Sequence, residues 1–121
     1  MVVEDEALER MGAVSMFHDA GYRVIEARNA DEALPHLEAN PDVRLLFTDV
    51  NMPGSLGGAD LARQVAERWP NVGVIMTSGE SQPARLPNGV HFLAKPYRPA
   101  DVLREARHMT LDFWSDDRVK H

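Results

Sequence analysis

Short apolar runs alternate along the chain with stretches of helical periodicity. Met1 to Val3 starts a strand that runs at once into acid, and Leu8, Met11, Val14 and Phe17 then fall close to a helical stripe that Gly21 ends. Tyr22 to Glu26 reads as a second strand. Asn29 with Glu32 three residues on predicts a capped helix running to about Asn40, in which Pro35 should remove a hydrogen bond and introduce a kink. Val43 to Thr48 is nearly continuous apolar sequence between Pro41 and Asp49, the pattern of a strand buried in a parallel sheet. Residues 51–58 have the composition of a loop, and Ala59 to Trp69 puts Leu61, Ala62, Val65 and Trp69 on one helical face before Pro70. Val72 to Thr77 repeats the buried-strand pattern, and Val90 to Ala94 is a last short strand. Pro99 suits the first position of a closing helix with Val102, Leu103, Ala106, Met109 and Phe113 on its apolar face.

Five strands alternating with helices imply right-handed crossovers and a parallel sheet covered on both faces, a doubly wound α/β fold. With 121 residues and no linker, repeat or low-complexity tract, the chain is read as one domain, residues 1–121. The absence of cysteine excludes a disulfide framework, a thiolate metal site, a cysteine nucleophile and an iron–sulfur centre. No apolar run approaches the length of a membrane span, and the acidic start is unlike a signal peptide, so a cytoplasmic protein without membrane contact is expected. Thirteen basic against nineteen acidic residues give a net charge of −6, which disfavours nucleic acid and anionic lipid as partners.

In an open sheet of this kind the functional crevice lies at the carboxyl ends of the strands. Those ends hold Glu4 and Asp5 after the first strand, Asp49 after the third, Ser78 after the fourth and Lys95 after the fifth. Carboxylates gathered at one crevice repel one another unless a cation neutralises them, which points to a hard divalent ion held by oxygen, with Mg²⁺ fitting best. A metal, a hydroxyl and a lysine form a charge set that stabilises a phosphoryl group in transfer. The five histidines show no metal-ligand spacing and read as surface residues.

Glu4-Asp5, Asp49 within Thr48-Asp49-Val50-Asn51-Met52-Pro53-Gly54, Ser78 within Thr77-Ser78-Gly79, and Lys95-Pro96 together resemble the receiver domain of two-component response regulators. The resemblance covers nearly the whole chain and implies a flavodoxin-like sheet of order 2-1-3-4-5. It implies that Asp49 accepts a phosphoryl group from the phosphohistidine of a sensor histidine kinase or histidine phosphotransfer protein, switching a surface that an unidentified downstream protein reads. Asp5 corresponds to a direct Mg²⁺ ligand, Glu4 to its water-mediated companion, and Asn51 to the residue whose main-chain carbonyl completes the metal site. Lys95 resembles the lysine that pairs with the phosphoryl oxygens, Ser78 the hydroxyl that moves to bond them, and Phe92 the aromatic switch. The family pattern places a cis peptide before Pro96. Asn51 and Glu80 match positions that tune hydrolysis of the acyl phosphate, and imply a short-lived phosphorylated state.

Some features depart from that pattern. The stretch between Ser78 and Lys95 is short and carries Pro83 and Pro87, so the fourth helix is expected to be truncated or replaced by a loop. Phe92 lacks the hydroxyl of the commoner tyrosine. No output domain is expected within the 121 residues, as in a stand-alone receiver or one excised from a longer protein. Three other readings compete. A haloacid-dehalogenase-type phosphatase would want a second aspartate where Asn51 stands, and a flavodoxin-like binding module would want a phosphate loop where Glu4-Asp5-Glu6 stand. A degenerate receiver, acting only as a protein-interaction module, would keep the fold without the chemistry.

Overall fold

The alternating apolar runs become five parallel strands in a computed structural model that describes residues 1–50, 57–79, 86, 87 and 89–119, with side chains to residue 110. In chain order the elements are β1 (Val2–Val3), α1 (Ala7–Asp19), β2 (Glu26–Ala27), α2 (Ala30–Ala39), β3 (Leu45–Asp49), α3 (Gly58–Arg68), β4 (Gly73–Ser78), β5 (Val90–Ala94) and α4 (Pro99–Val119). The strand order is β2-β1-β3-β4-β5, every pairing is parallel, and Asp49 lies beside Thr77 in the register of β3 with β4.

Because successive strand residues point to opposite faces, β1, β3 and β4 each feed two cores. Val3, Leu46, Val74 and Met76 pack against Ala33 and Leu37 of α2 and Leu61 and Val65 of α3. Val2, Leu45, Phe47 and Ile75 pack against Ala13 and Phe17 of α1 and Val102 and Ala106 of α4. This two-sided burial explains the apolar runs Leu45 to Phe47 in β3 and Val74 to Met76 in β4.

The expected stripe on α1 is shifted. Ala13 and Phe17 are buried, but Leu8 and Met11 are 76% and 61% exposed. Thirteen helical residues extend roughly 20 Å, whereas β1 beneath them has only two. The first turns of α1 therefore overhang the strand ends and present Glu9, Gly12 and Ala13 inward.

β2 is also shorter than expected and begins later. Tyr22 and Val24 pack against the α1/α4 core without joining the ladder, which is made only at Glu26 and Ala27. In α2 the Asn29 side chain accepts the Glu32 N–H at 2.9 Å, while the Glu32 carboxylate accepts the Arg28 N–H at 2.9 Å. The helix runs unbroken through Pro35, where the carbonyl that loses its donor belongs to exposed Asp31.

Among the described residues no helix lies between β4 and β5, in line with the expected truncation; residues 80–85 and 88 lie outside them. Phe113, assigned to the apolar face of α4, lies beyond the described side chains. No helix among the described residues is long and apolar enough to cross a membrane.

Candidate functional site at the strand ends

From β1 the chain passes to β2 on one side of the sheet and returns to β3 on the other, so the topological switch lies between β1 and β3. The crevice it leaves opens at their carboxyl ends, where Glu4 follows β1 and Asp49 closes β3. Lys95 comes from further across the sheet. Its N–H donates to the Ser78 carbonyl at 2.8 Å, extending the β4–β5 ladder by one residue, and the Lys95–Pro96 peptide is cis, as the family pattern implied.

The Lys95 Nζ lies 2.9 Å from Asp49 Oδ2, 2.8 Å from Glu9 Oε2 and 3.6 Å from Glu4 Oε1. One ammonium thus bridges three carboxylates, each of which offers an oxygen within 4.8 Å of the others. Burial by itself would lower the Lys95 pKa, but hydrogen bonds to Glu9 and Asp49 and the charges of Asp49 and Glu4 hold it above the ordinary lysine value. Glu4 is pushed up to about 8, first by burial, then by its hydrogen bond with Glu9 and the charge of Asp49. Glu9 moves down, chiefly because Glu4 donates to it and then because Lys95 does.

A buried carboxyl that holds its proton so far above the unfolded value of 4.5 makes stability depend on pH. Between pH 4.5 and about 8 the folded chain binds a proton at Glu4 that the unfolded chain has released, so this group makes stability fall as pH rises. The shifts of Glu9 and Lys95 act below and above that window. Without divalent cation, Glu4→Gln keeps a donor for Glu9 and abolishes the titration. Its thermal midpoint should match the parent's near pH 5 and exceed it progressively toward pH 8.5; a gap independent of pH would contradict the assignment.

A comparison with protein families matches residues 1–107 to the response regulator receiver domain. The chain belongs to that family. This receiver domain is 34% identical to the chemotaxis protein CheY1 of Helicobacter pylori over 92% of the chain and 94% of that protein. It is 30% identical to the two-component response regulator ORR7 of Oryza sativa subsp. japonica over 90% of the chain, and there it spans only 55% of the longer protein. Among solved structures, the receiver domain of the hybrid histidine kinase CckA superposes with a TM-score of 0.77 at 31% identity, covering 89% of this chain and 94% of that one. The chain is therefore a receiver domain of a two-component system. Such domains are response regulators, they work with histidine kinases or phosphotransfer proteins, and they generally bind Mg²⁺ at an acidic pocket.

In this receiver the residues expected at the site are not all brought together. Glu4, Asp49 and Lys95 meet directly. Ser78 is buried at the end of β4 and touches the group through its main chain, and Phe92 is half-buried in β5, opposite Met76 in the register. Asp5 is exposed and its carboxylate stays outside the cluster. Its N–H donates to Glu4 Oε2 at 2.9 Å, and this turn directs the chain outward before α1 brings Glu9 back over the strand ends.

Glu9 is the site residue that sequence reasoning missed. A signal for it exists, because Glu9, Gly12 and Ala13 share the i, i+3, i+4 face that meets the crevice. Asn51 and Glu80 lie outside the described residues.

Proposed function

We propose that Asp49 accepts a phosphoryl group from the phosphohistidine of a sensor histidine kinase or histidine phosphotransfer protein, in the cytoplasm, and that the acyl phosphate switches a surface read by a downstream protein. The observation that carries this reading is the Lys95 ammonium seated among Asp49, Glu4 and Glu9. An Asp49 carboxylate oxygen attacks phosphorus, the P–N bond breaks, and its electron pair returns to the imidazole nitrogen. The added negative charge is met by Lys95, already within hydrogen-bond reach of the acceptor carboxylate.

The donor set is oxygen alone, close enough together to share one ammonium, and it suits a hard divalent cation. Glu4, Asp49 and Glu9 would hold Mg²⁺, with Asp5 and the Asn51 carbonyl added by the family pattern. Bound there, the ion supplies positive charge beside the phosphoryl oxygens. Ser78 and Phe92 would carry the change of state toward the β4–β5 connection. The tuning of hydrolysis by Asn51 and Glu80 belongs to the same proposal and rests on sequence alone. Turnover of a small-molecule substrate is not part of the function.

Intact mass after incubation with Mg²⁺ and acetyl phosphate tests the reading. One added phosphoryl group is expected, and chelation of the metal should abolish it. No gain under rapid quenching, together with no binding of beryllofluoride, would overturn the reading in favour of a degenerate receiver that acts only through protein contacts.

A further inference from the structure

The three carboxylates of the cluster are not equivalent. The side chains of Glu4 and Asp49 are 8% and 14% exposed, whereas that of Glu9 is 53% exposed. Glu4 and Asp49 come from the ends of β1 and β3. Glu9 comes from the first turn of α1, where its N–H donates to Glu6 Oε2 at 2.8 Å. Its carboxylate reaches across to Lys95, 86 residues away, and makes the shortest of the three contacts to the ammonium.

Lys95 is fixed at its main chain by the bond from its N–H to the Ser78 carbonyl, so the contacts of its flexible side chain decide where the ammonium sits. An ammonium has three N–H groups. Glu9 Oε2 at 2.8 Å and Asp49 Oδ2 at 2.9 Å take two of them. Glu9 also accepts from Glu4, so its carboxylate is held from two sides despite its exposure.

A phosphoryl group on Asp49 changes this arrangement. It puts a charge of about −2 where the carboxylate had −1, and it presents three strong acceptor oxygens. Those oxygens and the Glu9 carboxylate compete for the same ammonium. Glu9 offers an oxygen within 4.8 Å of one from Asp49, so the added charge also repels it. Both effects favour the unmodified receiver.

We propose that Glu9 is a positioning residue that acts through Lys95: it holds the ammonium in the unmodified receiver and yields it to the phosphoryl oxygens, which lowers the affinity of the site for a phosphoryl group. The proposal rests on the phosphoryl-accepting role of Asp49.

The chain has two lysines, Lys95 and Lys120, so lysine labelled with ¹³C at Cε gives two NMR signals, which Lys120→Arg assigns. In the metal-free chain the Lys95 signal should move in Glu9→Gln, because the ammonium loses a charged acceptor. Beryllofluoride, a mimic of the phosphoryl group, is then titrated at saturating Mg²⁺ with the same signal as readout. Glu9→Gln should bind it about tenfold tighter than the parent, the effect of one hydrogen bond between charged groups at an exposed position. Damage to the fold weakens binding, so a gain in affinity separates positioning from a structural role. Glu9→Asp keeps the charge but is one methylene shorter and falls away from Lys95. It should move the Lys95 signal in the same direction and bind beryllofluoride about threefold tighter than the parent.

An unmoved Lys95 signal in Glu9→Gln would overturn the proposal. Equal or weaker affinity for beryllofluoride would overturn it too, as the result expected of a residue that serves the metal alone. Parental affinity in Glu9→Asp beside a gain in Glu9→Gln would assign the effect to charge and overturn the action through Lys95. A parent that binds no beryllofluoride would remove the phosphoryl-accepting role of Asp49 and this inference with it, whereas binding that both variants leave unchanged would remove the inference alone.

Discussion

Asp49→Asn is expected to lose the phosphoryl gain completely, a fall on the order of 10³-fold or more in rate, as when a nucleophile is removed. No neighbouring carboxylate is placed to replace it. Glu4 is buried and keeps its proton up to about pH 8, so at neutral pH it is a poor nucleophile. Glu9 is already engaged by Lys95 and by Glu4, and it stands on α1 rather than at the end of the central strand.

Folding should survive the substitution, because an amide oxygen still accepts from Lys95 and the like-charge crowding is relieved. The charge of Asp49 is one of the causes that raise Glu4, so Glu4 should titrate lower in the variant. Intact mass after acetyl phosphate, read beside a thermal melt, separates chemistry from folding. A phosphoryl group still gained by Asp49→Asn would place the acceptor elsewhere.

Gly58→Ala should damage both stability and phosphorylation, although the residue carries no chemistry. A Cβ at Gly58 would lie 1.9 Å from the Asp49 carbonyl oxygen and 2.8 Å from both the Asp49 carbonyl carbon and the Val50 Cα. All three are main-chain atoms, so no side-chain rotation relieves the clash. Either the start of α3 or the end of β3 must move, and the Gly58 N–H bond to the Val50 carbonyl at 2.9 Å ties the two together.

Overpacking of this kind typically costs about 1–3 kcal/mol, occasionally more. A displacement of about 1 Å at a reacting group can cost about 10²-fold in rate, and Asp49 is where the displacement falls. Denaturant melts and the rate of phosphoryl gain should therefore decline together; a variant with parental stability and rate would refute the contact. Gly73 offers a milder comparison, because the nearest atom to its added Cβ, at 2.8 Å, is the Sδ of the flexible Met109 side chain. Gly12→Ala should go the other way and gain about 1 kcal/mol of helix stability, since nothing lies within 4 Å.

These glycines look alike in the chain. Gly58 sits in a stretch whose composition reads as loop, and Gly12 sits inside a helical stripe. Whether an added methyl group is forbidden or welcome depends on what another element brings to that point, and local sequence carries no record of it.

The long apolar runs of β3 and β4, the Asn29 cap of α2 and the acids and lysine at the strand ends are readable from sequence because each rests on local physics. Strand alternation, a capping hydrogen bond and the parallel sheet implied by alternating strands and helices need no knowledge of distant neighbours. The doubly wound fold and the meeting of Glu4, Asp49 and Lys95 follow from these. The face that α1 turns inward does not. Periodicity defines that helix as amphipathic only to within about one residue of rotation, and its short underlying strand leaves Leu8 and Met11 exposed while Glu9, itself exposed, reaches the carboxylates at the strand ends. The presence of Glu9 in the cluster follows from that rotation, which only the packing of α1 across the end of the sheet decides.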